Sequence, residues 1–137
     1  MPSGSPGSKK MLWTGRIISA LCVLLLLFSG VMKLIKPAPL LEGFARFGYP
    51  ERLIPVIGIL EVGCTIVYLL PRTSVLGAIL MAGYLGGATA ANVRIGDPLF
   101  FVPAILGVLV WGGLFLRDER LRALIPLRAQ TDQRPMA

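Results

Sequence analysis

Residues 53–70 of the chain read LIPVIGILEVGCTIVYLL, and this stretch decides the fold. It contains 18 residues with one charge, that of Glu61, and it lies between Arg52 and Arg72. A helix needs about 20 mostly apolar residues to cross the hydrocarbon core of a bilayer. The run shows no alternation of apolar and polar residues, which disfavours a strand of a membrane barrel. The stretch therefore predicts a membrane-spanning helix.

Three further apolar runs flank this stretch. Residues 12–35 precede it, and residues 74–93 and 99–116 follow it without a charge. The short turn at residues 71–74 predicts that the second and third spans form a hairpin. Hydrophobic residues make up 55% of the sequence and charged residues 15%, against about 25% charged residues in soluble domains. So many apolar side chains cannot all be buried in one soluble core, and the lipid bilayer is the first expected partner.

A short amphipathic segment separates the first two spans. Between residues 40 and 47 apolar side chains recur at helical spacing, while Glu42 and Arg46 lie on the opposite side. Such a helix lies in the membrane interface rather than across it. The predicted fold is therefore all-α: an integral membrane four-helix bundle with a short interfacial amphipathic helix between spans one and two.

The charged residues outside the spans predict the two tails and the orientation. Residues 1–11 are rich in Pro, Gly and Ser and include two lysines, so they are expected to form a disordered basic N-terminal tail. Residues 12–116 form the membrane domain, and residues 117–137 form a basic C-terminal tail. Nine lysines and arginines fall on the side of the tails and five on the other side. By the positive-inside rule, both termini are expected in the cytoplasm.

The composition excludes several kinds of chemistry. The sequence has no histidine and two cysteines, so His-ligated haem, the usual zinc and copper sites and iron–sulfur clusters are not expected. It contains no glycine-rich dinucleotide motif and no CxxC pair. No metal site and no cofactor held by the chain itself are predicted, and no catalytic residue is identified. The net charge of +7 does not indicate nucleic-acid binding, because the basic residues lie at the ends and turns of apolar runs.

Glu61 is the polar residue that most needs an explanation. It lies eight residues beyond Leu53, about 12 Å into the membrane at 1.5 Å per residue, where an acid costs about 2.5–3.5 kcal/mol on insertion scales. Lys33 and Asn92 lie near the outer ends of spans one and three, and Thr89 lies about one turn deeper than Asn92. We expect these residues to gather in the outer half of the bundle, with Lys33 reaching Glu61 and Asn92 donating an amide hydrogen to it.

Three interpretations of the predicted cluster of Lys33, Glu61, Thr89 and Asn92 stay open. In the first, it is a structural ion pair, or a protonated and hydrogen-bonded acid, that fixes the register of the helices. In the second, it is a binding pocket for a small polar or quinone-like head group, with Glu61 as acceptor or proton relay. In the third, Glu61 faces a partner subunit. A quinone is the candidate cofactor of the second interpretation.

Span three carries two adjoining ridges of small residues. Gly83, Gly87 and Ala91 recur four residues apart, and Gly86 lies on the neighbouring ridge. In lipid, helices approach closely at small residues, because van der Waals contact and hydrogen bonds drive their association. Gly83, Gly86 and Gly87 are therefore predicted to pack against other helices, either inside the bundle or across a homodimer. Tyr84 is expected to line the bundle.

Several short motifs follow one another along the chain: SGVMKL at 29–34, FGYP at 47–50, GILE at 58–61, LPR at 70–72, LGA at 76–78, GGAT at 86–89 and WGG at 111–113. This ordered set resembles the DoxX-like family of small four-helix bacterial membrane proteins. The resemblance implies a location in the bacterial inner membrane and singles out Lys33 and Glu61. Many relatives have a histidine near the end of span three where this chain has Asn92, which weakens the case for proton transfer.

The same resemblance frames the expected function. Family members are integral membrane proteins of mostly unassigned activity; the namesake is linked to a thiosulfate:quinone oxidoreductase, and some relatives are associated with thiol or oxidative-stress membrane complexes. The resemblance therefore implies a subunit of, or an accessory to, a quinone- or thiol-linked membrane redox complex with a polar pocket in its outer half. Two alternatives stay open: a non-catalytic structural subunit that binds a partner, and a small proton-coupled transporter. Whether the chain is itself an enzyme stays open as well.

Overall fold

The computed structural model describes residues 6–125, which form six α-helices and no strand. Four of the helices, with the short 3-10 turns that precede two of them, are long and apolar enough to cross a membrane. The prediction of an all-α four-helix membrane bundle is confirmed. The helices are α1 (Pro6–Ile35), α2 (Ala38–Phe47), α3 (Ile54–Leu69), α4 (Ser74–Arg94), α5 (Phe101–Arg117) and α6 (Glu119–Leu124), with 3-10 turns at Glu51–Leu53 and Pro98–Phe100.

The amphipathic helix α2 connects the first two spans, as the sequence predicts. It ends at Gly48, whose φ of 78° lies in the left-handed region, where a side chain would strain the backbone. The N–H groups of Gly48 and Tyr49 donate to the carbonyl oxygens of Ala45 and Phe44 at 3.0 and 3.2 Å, so the last turn of α2 is capped. The chain therefore turns sharply at residue 48 and enters α3.

The structure describes a part of each predicted tail, and both parts are largely helical. Helix α1 begins at Pro6, so residues 6–11 are helical, because proline is favoured in the first turn of a helix and the lysines and methionine that follow are good helix formers. Helix α6 occupies the start of the predicted C-terminal tail. Asp118 caps it by accepting hydrogen bonds from the N–H groups of Arg120 and Leu121 at 3.0 and 3.2 Å. The rest of the predicted tails, residues 1–5 and 126–137, lies outside the described residues.

The four spans form a closed ring in which α1 packs on α3 and α5, and α4 packs on the same two helices. Their core is made of apolar side chains that are almost fully buried, among them Leu26, Tyr68, Met81, Val110 and Leu114. Large apolar side chains such as Leu24, Phe28, Ile59 and Val108 cover the outer surface of the ring. Because exposed apolar surface of this extent is stable in hydrocarbon and not in water, the outer surface is the one that contacts lipid.

Glycines do bring the spans close together, but they are not the glycines expected. A Cβ added to Gly77 would collide with the backbone of Tyr68. A Cβ added to Gly83, Gly86 or Gly87 would meet nothing within 4 Å. These three residues make no close contact inside the bundle, because α4 turns its buried side, which carries Ala78, Met81 and Leu85, toward the core. The alternative, that they pack across a homodimer, stays a prediction.

Candidate functional site

Lys33 and Glu61 form a buried ion pair inside the bundle. The Nζ of Lys33 on α1 lies 2.6 Å from Oε2 of Glu61 on α3. Only 9% of Lys33 and 2% of Glu61 is exposed. An isolated buried charge is very costly, and a partner at hydrogen-bonding distance offsets much of this cost. The structure thus brings together the two residues that the sequence singled out.

A close approach of two backbones positions this pair. Gly30 on α1 faces Gly58 on α3, and a Cβ added to Gly58 would lie 3.0 Å from the Gly30 carbonyl oxygen. Lys33 and Glu61 each follow their glycine by three residues, which places each of them on the same helix face as that glycine. The two helices are therefore near enough for a short ion pair one turn away from the glycine contact.

Two hydroxyl groups complete the cluster around Glu61. Ser29 accepts a hydrogen bond from Lys33 Nζ at 2.7 Å and donates to Glu61 Oε2 at 3.3 Å. Tyr84, on α4, donates its hydroxyl proton to the same oxygen at 3.0 Å. Three helices thus converge on one carboxylate oxygen. We call Ser29, Lys33, Glu61 and Tyr84 the Glu61 cluster.

The second carboxylate oxygen of Glu61, Oε1, differs from Oε2 in its hydrogen bonding. Oε1 accepts no hydrogen bond from the described residues, although Lys33, Ser29 and Tyr84 all donate to Oε2. Within the described part of the chain, no fully enclosed side-chain oxygen or nitrogen lacks a partner. Oε1 is therefore not fully enclosed, and it is an acceptor without a partner among the described residues, on a side chain that is almost completely buried.

Thr89 and Asn92 do not join the Glu61 cluster. The Thr89 hydroxyl donates to the Leu85 carbonyl oxygen at 2.8 Å, and the Asn92 amide donates to the Ala88 carbonyl oxygen at 2.7 Å. The expected hydrogen bond from Asn92 to Glu61 is not formed; the Asn92 amide bonds instead to a backbone acceptor one turn earlier on its own helix. Asn92 still lines the cavity beside Glu61, whereas Thr89 lines a separate apolar groove between α4 and α5.

A cavity of about 630 Å³ lies beside the Glu61 cluster. Residues from all four spans and from α2 form its walls, which are mostly apolar; Gly83 and Gly87 contribute to them, whereas Gly86 lines the α4–α5 groove. Ligand pockets of proteins have volumes of about 300–1,000 Å³, mostly apolar walls and a few polar groups. The cavity has these properties, and the polar side chains that line it are those of the Glu61 cluster, Asn92 and Tyr49.

Three aromatic rings cover the cavity where α2 crosses it. The ring centroids of Phe44, Phe47 and Tyr49 lie 5.9–6.5 Å from one another, and all three residues line the cavity. We call them the aromatic cover. Arg94, at the end of α4, donates a hydrogen bond to the Phe47 carbonyl oxygen, so the end of α2 is tied to the end of α4.

A second polar network lies at the opposite end of the bundle. Arg117 Nε donates to Ser19 Oγ at 3.1 Å, the hydroxyls of Ser19 and Tyr68 lie 2.9 Å apart, and the Tyr68 hydroxyl donates to the Val110 carbonyl oxygen at 2.8 Å. Since Tyr68 uses its proton on Val110, Ser19 is the donor to Tyr68. The guanidinium of Arg117 also lies 5.3 Å from the centre of the Tyr68 ring. This network links α1, α3 and α5, and we interpret its role as structural.

The sequence analysis missed Ser29, Tyr84 and the Ser19–Tyr68–Arg117 network. Ser29 precedes Lys33 by four residues, a spacing that places both on one helix face, so this signal was available. Tyr84 had no comparable signal, because its contact with Glu61 depends on the rotation of α4 within the ring. The partners of Tyr68 come from residues far away in sequence and are likewise set by packing.

Comparison with protein families finds a match over most of the chain. The model of the DoxX-like family matches residues 17–113, a range that includes all four residues of the Glu61 cluster. Comparisons with curated proteins and with solved structures found no match.

Proposed function

This chain belongs to the DoxX-like family, and we propose that it binds the head group of a membrane-borne quinone in the cavity beside Glu61. In this proposal the protein is a subunit of, or an accessory to, a membrane redox complex. It supplies binding and orientation together with a buried carboxylate, and a partner protein supplies the electrons. The family membership and the four apolar helices establish the coarser statement, that the chain is a multi-pass membrane protein.

One observation carries the proposal: a buried ion pair opens onto a mostly apolar cavity. Ionisable residues within membrane spans are costly and commonly mark functional sites. A pair that served only to fix helix register would need no empty volume beside it. Here the cavity of about 630 Å³ adjoins Glu61 and Tyr84, and the free oxygen Oε1 offers a polar contact in apolar surroundings. A quinone meets both requirements, because its ring carries polar oxygens and its tail is apolar like the walls of the cavity.

Titration of the purified protein in lipid nanodiscs tests the proposal. The probes are a quinone with a ten-carbon tail and its reduced hydroquinone. We expect saturable binding of at least one redox form, weakened at least tenfold in Glu61→Gln and unchanged in Glu51→Gln, which makes the same change at an exposed residue outside the cavity. The double variant Lys33→Met/Glu61→Leu replaces the pair with apolar side chains, a change that proteins often tolerate, and it should fold without binding. Absence of binding to the wild-type protein would overturn the proposal.

A further inference from the structure

We infer that the ligand is a hydroxyl donor that enters sideways from the bilayer between α3 and α4 and donates a hydrogen bond to Glu61 Oε1. This inference rests on the proposed function and narrows it. The preferred ligand is the reduced, hydroquinone form of a quinone, and its entrance is a gap in the wall of the bundle beside Gly87.

The donors and acceptors of the Glu61 cluster support the first half of the inference. Lys33 directs its protons to Glu61 Oε2 at 2.6 Å and to the Ser29 hydroxyl at 2.7 Å. The hydroxyls of Ser29 and Tyr84 direct theirs to Oε2 as well. The Glu61 cluster thus directs its own donors to its own members and leaves an acceptor, Oε1, open. The other donors in the cavity wall lie outside the cluster, on Asn92, which is bonded to Ala88, and on Tyr49 in the aromatic cover. A quinone carbonyl is itself an acceptor and gains nothing there, whereas a hydroquinone hydroxyl has the proton that Oε1 lacks.

The surroundings of Oε1 strengthen this preference. Glu61 is only 2% exposed, so its carboxylate has little accessible surface and lies among the mostly apolar walls of the cavity. Hydrogen bonds to a charged acceptor are stronger than those between neutral groups, and they gain further strength in apolar surroundings. An amphiphile that brings one hydroxyl group to Oε1 therefore completes the site.

The walls of the cavity support the second part of the inference, the entrance from the bilayer between α3 and α4. On α4, Gly83 and Gly87 are exposed, line the cavity and have nothing within 4 Å of an added Cβ. On α3, Leu60 also lines the cavity, and 55% of it is exposed. The cavity thus reaches the surface of the bundle at the seam between α3 and α4. Because the large side chains around this seam are apolar and outward-facing, a ligand that enters here comes from lipid.

The aromatic cover disfavours the entry of a ligand from the aqueous side. Phe44, Phe47 and Tyr49 lie over the end of the cavity at α2, and Arg94 holds α2 in place through the Phe47 carbonyl. A ligand from the aqueous side would have to displace these packed rings. A ligand from the bilayer can leave its tail in hydrocarbon while its head group passes Gly87.

Binding measurements with three related probes test the donor requirement. The probes are a hydroquinone with a ten-carbon tail, its dimethyl ether and the corresponding quinone, each titrated into wild-type protein in nanodiscs. We expect the hydroquinone to bind at least tenfold more tightly than either of the others, since both lack hydroxyl protons. Equal affinities for hydroquinone and dimethyl ether would overturn the donor assignment and leave the proposed function standing. No binding of any probe would remove the proposed function itself.

Association kinetics test the lateral entrance. In Gly87→Phe a ring is placed at the seam, in a position where an added Cβ meets no atom, and the association rate of the hydroquinone should fall at least fivefold. Gly86→Phe is the matched control: it makes the same change one residue away, on the side of the α4–α5 groove, and should keep the wild-type rate. Ala91→Leu, which narrows the same cavity wall, is the second variant should Gly87→Phe fail to fold. Wild-type rates in the seam variants that fold would overturn the lateral route.

Discussion

Gly58 on α3 lies against Gly30 on α1 so closely that a Cβ on Gly58 would be 3.0 Å from the Gly30 carbonyl oxygen and 2.9 Å from Lys33 Cβ. The absence of a side chain at residue 58 therefore sets the distance between the two helices that carry Lys33 and Glu61. The ion pair and the helix contact are parts of one arrangement, and disturbing the contact should disturb the pair.

We predict that Gly58→Ala lowers the free energy of unfolding by about 1–3 kcal/mol, the usual cost of overpacking. Its methyl group would have to push α1 away from α3. Gly63→Ala is the control, because it makes the same change on the same helix where a Cβ meets nothing within 4 Å. Denaturant or thermal unfolding in detergent measures both variants. Equal stabilities of the two would contradict the close contact.

The ion pair should show strong coupling in a double-mutant cycle. Lys33→Met alone or Glu61→Leu alone leaves one buried charge without its partner, and we expect each to cost about 3–5 kcal/mol. The double variant removes both charges and should lie within about 1 kcal/mol of the wild type, because apolar replacements of buried pairs are often neutral. Unfolding measurements on all four proteins give the coupling free energy. Additive losses in the double variant would show that the two charges do not stabilise each other.

The glycines of α4 allow a separate test of the packing. A Cβ at Gly77 would overlap the Tyr68 backbone, which cannot move without disrupting the hairpin. Gly77→Ala should therefore prevent folding or cost more than about 3 kcal/mol, as strong overpacking can. Gly83→Ala and Gly86→Ala should be neutral or stabilising by up to about 1 kcal/mol, because alanine is the better helix former. Yield of monodisperse protein and its unfolding temperature distinguish these outcomes.

Much of the fold could be predicted from the sequence because hydropathy and charge act locally. Apolar runs of about 20 residues become spanning helices whatever their neighbours are, and the amphipathic pattern of residues 40–47 is likewise local. The contact between Lys33 and Glu61 could also be predicted, since two charges inside a membrane are far less costly together than apart. These inferences needed no knowledge of how the helices are rotated.

The errors about contacts between the spans share one cause, the rotation of each helix about its axis. The ridge of Gly83 and Gly87 indicates a close approach, but the pattern does not say which face of α4 turns inward; Met81 and Leu85 take that position. The same rotation brings Tyr84 to Glu61 and leaves Asn92 bonded to its own helix. Side-chain partners of this kind follow from packing and not from spacing along the chain.

The orientation in the membrane remains a prediction that labelling can test. Among the described residues, seven lysines and arginines lie at the end of the bundle that carries the 71–74 turn, and five lie at the end that carries α2. The positive-inside rule then places α2 outside the cytoplasm. In a background of Cys22→Ala and Cys64→Ala, Glu42→Cys should react with an impermeant maleimide on intact cells. Glu119→Cys should react only after permeabilisation. The reverse pattern would mean that the bundle has the opposite orientation in the membrane.

The network of Ser19, Tyr68 and Arg117 should contribute to stability and not to ligand binding. Tyr68→Phe removes the acceptor of the Ser19 hydroxyl proton and the side-chain donor to the Val110 carbonyl oxygen, while Arg117 still donates to Ser19. We expect this loss to cost about 1–3 kcal/mol. Tyr49→Phe is the control, because the Tyr49 hydroxyl makes no hydrogen bond with the described residues, and it should cost less than about 0.5 kcal/mol. Unfolding in detergent measures the stability, and hydroquinone titration measures the cavity. Because Tyr68 does not line the cavity, Tyr68→Phe should keep the wild-type affinity; a large loss of binding in folded protein would mean that the two ends of the bundle are coupled.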